Sequence, residues 1–338
     1  MADSATRSTE GSQMNTRPGI PVPQLPASKH RARSVKLRKF RESLIFSSLV
    51  LCAAFSILVT TSIVYILFSE SFHFFSEFEE VSLWGYLTGF EWNPLLGADK
   101  KFGMWPLVTG TLMVTAISAV ISLPVGLITA VYLSEYAPSR VRAILKPVLE
   151  VLAGIPTVVY GFFALAVITP TLRSGSEAFT GDKIFEYFNS TSAGIAVGIL
   201  CLPTVCSLSE DALRAVPRSL REGAYGLGAT KFDVSVKVVV PAALSGVIAA
   251  FLLAIARAIG ETMIVALAAG GMARLATNPA DGSQTMTAYM VQIFLGDAPH
   301  GSVEYYSSYA VGATLFIITL GLTLLGNYIL KKFREEYE

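Results

Sequence analysis

The chain has 338 residues, of which 52% are hydrophobic and 15% charged. Soluble globular domains carry about 25% charged residues, so this composition argues against a water-solvated fold and indicates a protein solvated by lipid. A formal net charge of +1 gives no indication of a nucleic-acid-binding surface, and the three cysteines lie in apolar stretches without disulfide or metal-ligand spacing.

The chain begins with a polar tail and a basic run. Residues 1–28 are rich in Ser, Thr, Pro and Gly and lack apolar periodicity, which is typical of disorder. Seven Lys and Arg residues lie between Lys29 and Arg41, and an uncharged apolar stretch follows over 44–68. Because a signal-peptide core has only about 7–15 apolar residues, this stretch predicts an uncleaved first membrane helix. The disordered, basic cytoplasmic tail is predicted over 1–43.

Five further apolar stretches predict an all-α, polytopic membrane protein with six transmembrane helices. About 20 residues cross the hydrocarbon core of a bilayer. The fourth span is short, so it tilts little, extends into interfacial residues or is broken at Pro203. The five predicted spans are 105–133, 148–169, 193–208, 242–269 and 309–330, after an extracytoplasmic loop over 69–104, and a short tail over 331–338 ends the chain.

The distribution of Lys and Arg predicts the orientation of these spans. With the basic N-terminal run in the cytoplasm, the cytoplasmic loops receive most of the Lys and Arg residues, and every loop satisfies the positive-inside rule. The reverse topology satisfies the rule at no loop. Both termini are therefore predicted to be cytoplasmic.

The cytoplasmic loop over 210–241 is the most informative stretch. Pro217 can open a short helix, and Gly226 and Gly228 can close it. Thr230 with Asp233 resembles a capping box, after which apolar residues continue to a proline. The pattern predicts two short helices joined by a glycine turn and held outside the membrane.

This loop resembles the EAA loop of ABC importer permeases, in which Glu-Ala-Ala is followed by three residues, Gly, nine residues and Ile-x-Leu-Pro. Every spacing is kept, although Gly replaces the second residue and Val stands for Ile and Leu. An amphipathic loop without a partner would not require six matches at fixed spacing. The resemblance implies a coupling helix that docks on a separate ATPase subunit. The residues at the positions of the pattern, including the departure Gly223, are Glu222, Gly223, Ala224, Gly228, Val238, Val240 and Pro241.

Other stretches resemble the phosphate-specific (Pst) permeases: 102–112 with 130–136, 149–163, and 258–262. Together with the EAA-type loop, the resemblance covers roughly 102–330. It implies a type I ABC importer permease fold with a core over 105–330, located in the bacterial cytoplasmic (inner) membrane. The basic tail and large first external loop are more similar to the PstC subunit than to its partner PstA. The implied partners are PstB-like ATPase subunits, a PstA-like second permease and a PstS-like extracytoplasmic phosphate-binding protein.

The predicted span over 242–269 contains two charged residues, Arg257 and Glu261. One such charge at mid-bilayer costs about 2.5–3.5 kcal/mol, so each requires a partner. On one helix their i, i+4 spacing would let them neutralise each other. In addition, together with Thr262, they line a polar substrate pathway shared with a second permease, so that the two charges pair in the empty pore and partly separate when substrate passes. A guanidinium suits phosphate oxygens, and an ionised carboxylate favours an oxyanion that still carries a proton.

The sequence contains neither a Gly-x-x-x-x-Gly-Lys-Ser/Thr loop nor a His-Glu-x-x-His site. We therefore expect no resident cofactor or metal and no enzymatic activity, with ATP hydrolysis on another subunit. A self-contained ion-coupled carrier, with Glu261 as a proton relay, is the competing class; the absence of an internal repeat and the presence of the EAA-type loop argue against it. Within the importer class, molybdate, sulfate and phosphonate remain alternatives to phosphate.

Overall fold

The computed structural model describes residues 29–78, 81–95 and 100–333. These ranges are helical apart from loops and two antiparallel strands of two residues each, β1 (Trp92–Asn93) and β2 (Lys101–Phe102). Helices α3, α5 and α8 each contain one π-helical turn, and a further π-helical turn, Ile293–Asp297, follows α11. The helices are α1 (Lys29–Ser76), α2 (Leu83–Thr88), α3 (Trp105–Tyr136), α4 (Ser139–Gly154), α5 (Thr157–Thr180), α6 (Ser190–Ala215), α7 (Arg218–Gly226), α8 (Lys231–Ala242), α9 (Leu244–Ile259), α10 (Met263–Ala268), α11 (Met286–Gln292) and α12 (Val303–Phe333).

Five helices in the described part of the chain are long and apolar enough to cross a membrane, and a bent pair of helices makes six if it is counted as one span. The five are α1, over Lys39–Ser76, and α3, α5, α6 and α12. The bent pair is α8 with α9, whose axes differ by 70°. The prediction of an all-α protein with six membrane spans is confirmed.

The first helix extends beyond the predicted span at both ends. It begins at Lys29 and ends at Ser76 rather than covering 44–68, so part of the predicted tail and of the loop over 69–104 is helical. No Gly or Pro lies between Pro26 and Gly85 to stop a helix. An apolar window detects the lipid-facing part of a helix and not its ends. The predicted disorder over 1–28 lies outside the described residues.

The third and fourth spans also differ from their predicted bounds. The third starts at Thr157 rather than at residue 148, because Pro156 restricts Ile155 to an extended conformation (φ −67°, ψ 132°) and ends α4 at Gly154. The fourth, α6, has 26 residues, so the helix extends beyond the short apolar stretch over 193–208, which agrees with one of the three predicted alternatives. Pro203 lies inside α6 and does not end it.

Helix α6 forms the centre of the helical core. Its residues Ala193, Ala196 and Val197 are fully buried, and they pack in one hydrophobic cluster with residues of α3, α5, α9 and α10. Among the described elements, α3 and α6 form the most extensive contact. Their close approach depends on a small residue, since a Cβ at Gly194 would lie 2.6 Å from Cβ of Ile117. Membrane helices commonly pack through such small residues.

The loop between α10 and α11 closes over the N-terminal end of α6. Backbone N–H groups of Ser190 and Thr191 donate to carbonyls of Asp281 and Pro279, both at 3.0 Å. Helix α11 then enters the core, where Tyr289 is 1% exposed. The segment over 283–293 therefore packs inside the protein.

Candidate functional site

The predicted coupling segment folds as two short helices joined by a turn, as expected. Pro217 is the N-cap of α7, and Gly228 takes the left-handed conformation (φ +82°) that glycine adopts without a steric cost. Thr230 is the N-cap of α8: its Oγ1 accepts from the backbone N–H of Asp233 at 3.2 Å and lies 2.5 Å from the carboxylate Oδ2 of that residue. The capping interaction inferred from the Thr230 and Asp233 spacing is confirmed.

Residues of the EAA-type pattern lie partly on the surface of this segment and partly in its hydrophobic base. Glu222 and Gly223 are exposed, as are Gly228 and Pro241, whereas Ala224, Val238 and Val240 are half-buried. The deepest side chain near the end of the pattern is Val239, which is fully buried and packs with Leu213 and Val234. The pattern therefore identifies the correct segment. Its two apolar positions, Val238 and Val240, are only half-buried, and Val239 between them forms the hydrophobic base.

An apolar tip projects from the turn between α7 and α8. We define it as Tyr225, Leu227 and Phe232, whose exposures are 44%, 91% and 65%. Basic side chains stand beside the tip, where a cavity of about 440 Å³ is lined by Arg142, Arg214, Arg218 and Arg221 together with Glu135 and Glu222. Exposed apolar groups rimmed by charged ones are typical of a protein-interaction surface.

A buried carboxylate, Glu210, holds a cluster of cations near the end of α6. The side chain of Glu210 is 1% exposed, and its carboxylate lies 3.1 Å from Lys146 Nζ, 3.4 Å from Arg214 Nη1 and 3.5 Å from Arg142 Nε. The hydrogen bond to Glu210 raises the pKa of Lys146, so that this amine stays protonated. The cluster ties α4 to α6 by charge.

Replacing Glu210 by Gln is expected to lower the free energy of unfolding by about 1–3 kcal/mol. Breaking a buried ion pair leaves charges without a counter-charge, but the three cations are 23%, 34% and 51% exposed, so water screens part of the cost. SDS titration of the purified chain in mixed micelles measures the change. Asp211→Asn, which removes a 61% exposed carboxylate that also contacts Lys146, should change stability little. Equal stability of both variants would contradict this role of Glu210.

The predicted span over 242–269 is broken, which changes the interpretation of its two charges. Helix α9 ends at Ile259, and α10 begins at Met263 after a break at 260–262. Arg257 lies in the last turn of α9, and Glu261 lies in the break just before α10. The expectation that both occupy one face of a continuous helix is therefore wrong. Among the described residues, no ion pair or hydrogen bond joins the two side chains.

Each charge instead lies at the helix end whose dipole favours its sign. A cation is stabilised at a helix C-terminus and an anion at an N-terminus. Glu261 is 8% exposed, and its Oε1 accepts from the backbone N–H of Ile264 at 3.4 Å. The carbonyl of Glu261 accepts from Thr287 Oγ1 at 2.6 Å, which fastens the break to α11. Half-buried Thr262 donates to the carbonyl of Gly260 at 3.2 Å.

Arg257 is exposed on an apolar helix. Within residues 29–78, 81–95 and 100–333, no side chain or carbonyl forms a hydrogen bond or ion pair with its guanidinium. Tyr160 of α5 and Cys201 of α6 lie within electrostatic range of its charge. Charged groups at membrane depth face the interior of an assembly or a water-filled path. The guanidinium therefore has all its donors available for a ligand or another subunit.

Sequence reasoning missed Glu210, the pairing of Glu135 with Arg221, and the exposure of Leu227. The i, i+4 spacing of Glu210 and Arg214 was a signal for the charge cluster, but the predicted fourth span ended before it. The contact between Glu135 and Arg221 joins residues 86 positions apart, so no local spacing reports it. Leu227 lies between two glycines and belongs to no apolar stripe.

Comparisons with known proteins place these features in context. Residues 122–335 match the family described as binding-protein-dependent transport system inner membrane component. The chain is 36% identical over 244 residues to the probable ABC transporter permease protein YqgH of Bacillus subtilis, covering 72% of this chain and 76% of the relative. It is 31% identical over 324 residues to the phosphate transport system permease protein PstC of Mesorhizobium japonicum, covering 91% and 96%.

Among solved structures, a chain of a bacterial ABC transporter involved in the import of the acidic polysaccharide alginate has a similar fold. The TM-score is 0.63 at 12% identity, and the match covers 88% of this chain and 99% of that chain. Identity at this level shows a shared fold alone. It supports the arrangement of helices described above.

Proposed function

The chain belongs to the family of binding-protein-dependent transport system inner membrane components, and we propose that it is a permease subunit of an ATP-driven importer of inorganic phosphate. Family membership makes it a multi-pass membrane component of an ABC importer. In the proposed complex it forms one half of the translocation pathway and a PstA-like permease forms the other. PstB-like ATPase subunits drive transport, and a PstS-like protein delivers phosphate on the extracytoplasmic side.

The observation that carries the substrate proposal is the similarity to a phosphate permease over nearly the whole chain. The match to PstC of Mesorhizobium japonicum covers 91% of the residues, including the broken helix. The guanidinium of Arg257, which has no hydrogen-bond or ion-pair partner in the described part of the chain, adds a chemical reason, because its planar donors suit the oxygens of phosphate. An ionised carboxylate at Glu261, four residues further along the chain, would accept hydrogen bonds only and would disfavour a fully deprotonated oxyanion such as sulfate.

The exposed tip and its surroundings support docking of an ATPase through 218–241. The segment is rigid, since Gly228 and the Thr230 cap set its turn and Val239 anchors its base. A rigid element with exposed apolar residues at its tip suits the transfer of a rigid-body motion to α6 and α9, which flank it. The Lys and Arg residues of this segment also favour a cytoplasmic position, with both termini on the same side.

Reconstituted transport tests the proposal. The chain is expressed with its second permease and ATPase subunits, purified, and incorporated in proteoliposomes with the binding protein. We expect ATP-dependent uptake of labelled phosphate that survives an excess of sulfate and molybdate. If the complex takes up sulfate, molybdate or phosphonate instead of phosphate, that anion is the substrate. Uptake driven by a proton gradient without ATP would favour an ion-coupled carrier.

A further inference from the structure

One arginine of α7 reaches back to the ends of the two most closely packed helices. The side chain of Arg221 is 17% exposed. Its Nη1 donates to the carbonyl of Val216 at 2.6 Å, and its Nη2 donates to the carbonyl of Leu213 at 2.8 Å. Leu213 lies in the last turn of α6, and Val216 is its C-cap. Arg221 thus caps α6 at the end where unpaired carbonyls and the helix dipole favour a cation.

The same guanidinium is also paired with the end of α3. Nη2 of Arg221 lies 3.1 Å from Oε1 of Glu135, whose side chain is 8% exposed. Glu135 belongs to the π-helical turn that ends α3, and Ser134 Oγ donates to its carboxylate at 2.9 Å. A single side chain of α7 therefore holds three acceptors, two on α6 and one on α3.

A second arginine makes the corresponding contacts from the other side. Arg142 of α4 donates from Nε to the carbonyl of Leu133 at 3.0 Å and from Nη2 to that of Ser134 at 3.2 Å. It also lies 3.5 Å from the Glu210 carboxylate of α6. The ends of α3 and α6 are thus joined both to α4 and to α7 by hydrogen-bonded charged groups.

Hydrophobic contacts alone give α7 a weak attachment. None of its residues is fully buried; Leu220 and Ala224 are half-buried against the cluster that contains Leu213 and Val216. Apolar contacts are non-directional, so they allow α7 to slide or rotate on its base. The planar guanidinium of Arg221, which donates to three acceptors at defined positions, fixes α7 in one orientation.

We propose that Arg221 and Glu135 form a link that makes α3 and α6 move together with α7, so that a movement imposed on α7 reaches the membrane helices. This inference rests on the proposed function, in which an ATPase moves α7. Arg221 and Glu135 are positioning residues in this scheme, since neither is required to contact the substrate. Loss of the link leaves an ATPase that still binds and hydrolyses ATP but whose movement no longer opens the pathway.

The test compares Arg221→Gln with the wild-type complex in proteoliposomes, with phosphate uptake and ATP hydrolysis measured on the same vesicles. We expect hydrolysis to remain within about twofold of wild type and phosphate taken up per ATP to fall at least about tenfold. Glu135→Gln should cause a smaller loss of phosphate taken up per ATP. The double variant should lose no more than Arg221→Gln alone, because the two substitutions remove the same link. Lys183→Gln, which removes an exposed ion pair with Glu177, serves as the matched control.

Hydrogen exchange of the purified complex gives a second readout that does not depend on the substrate. Amides of α7 should exchange about tenfold faster in Arg221→Gln, whereas those of α9 should not change. An unchanged ratio of uptake to hydrolysis, or a proportional fall of both, would overturn the link. If the wild-type complex transports no anion, the proposed function fails, and unchanged exchange in α7 would then refute the link independently.

Discussion

Replacing Arg257 by Gln is expected to abolish ATP-driven phosphate uptake while the complex still assembles. The guanidinium is exposed on α9 and, within the described residues, makes no hydrogen bond or ion pair, so its loss leaves no protein group unsatisfied. A phosphate that passes would lose two charge-assisted hydrogen bonds, each worth about 1.5–3 kcal/mol. This predicts a fall in uptake of about a hundredfold or more.

Uptake of labelled phosphate in proteoliposomes measures this effect, with co-purified subunits quantified in parallel. Arg257→Lys keeps the charge without the planar fork and should lose about tenfold. Lys183→Gln removes a cation from an exposed pair in the loop after α5 and should leave uptake unchanged. Normal uptake by Arg257→Gln would remove this residue from the substrate pathway.

Replacing Leu227 by Asp is expected to separate the chain from its ATPase. Leu227 is 91% exposed at the apolar tip beside exposed Tyr225 and Phe232, and an exposed cluster of apolar residues marks an interaction site. An apolar residue that anchors an interface contributes about 2 kcal/mol or more, and a buried carboxylate in its place adds a desolvation cost. We therefore expect at least about 30-fold weaker association and a matching loss of ATP-driven uptake.

Co-purification of the ATPase with tagged variants of this chain measures the association. Phe179→Asp is the matched control. Phe179 is 93% exposed near the C-terminal end of α5, away from the apolar tip, and the substitution introduces the same charge there. Leu227→Met keeps the apolar volume and should retain binding. If Leu227→Asp binds the ATPase as tightly as wild type, docking through the tip is wrong.

The sequence predicted features that depend on local chemistry. The turn at Gly228 and the cap at Thr230 were predictable because each depends on residues within a few positions of it. The number of spans was predictable because lipid requires long apolar stretches. The break at 260–262 was not, since an apolar window runs across it and one glycine does not reveal that the carbonyl of Glu261 will accept a hydrogen bond from Thr287 of α11.

The sequence by itself therefore determined the features that depend on the surrounding solvent and on neighbouring residues: a helical membrane protein, its approximate spans and a turn with EAA-type spacing. Tertiary structure alone decided where the span over 242–269 is broken, which carboxylate is buried, and which arginine has partners. Glu210 and Arg221 satisfy their charges with groups brought together only when α3, α4, α6 and α7 pack. Arg257 keeps its donors available for the same reason, because no packed element described here supplies an acceptor. Hydropathy reports the solvent around a residue, whereas pairing depends on distances that exist only in the folded bundle.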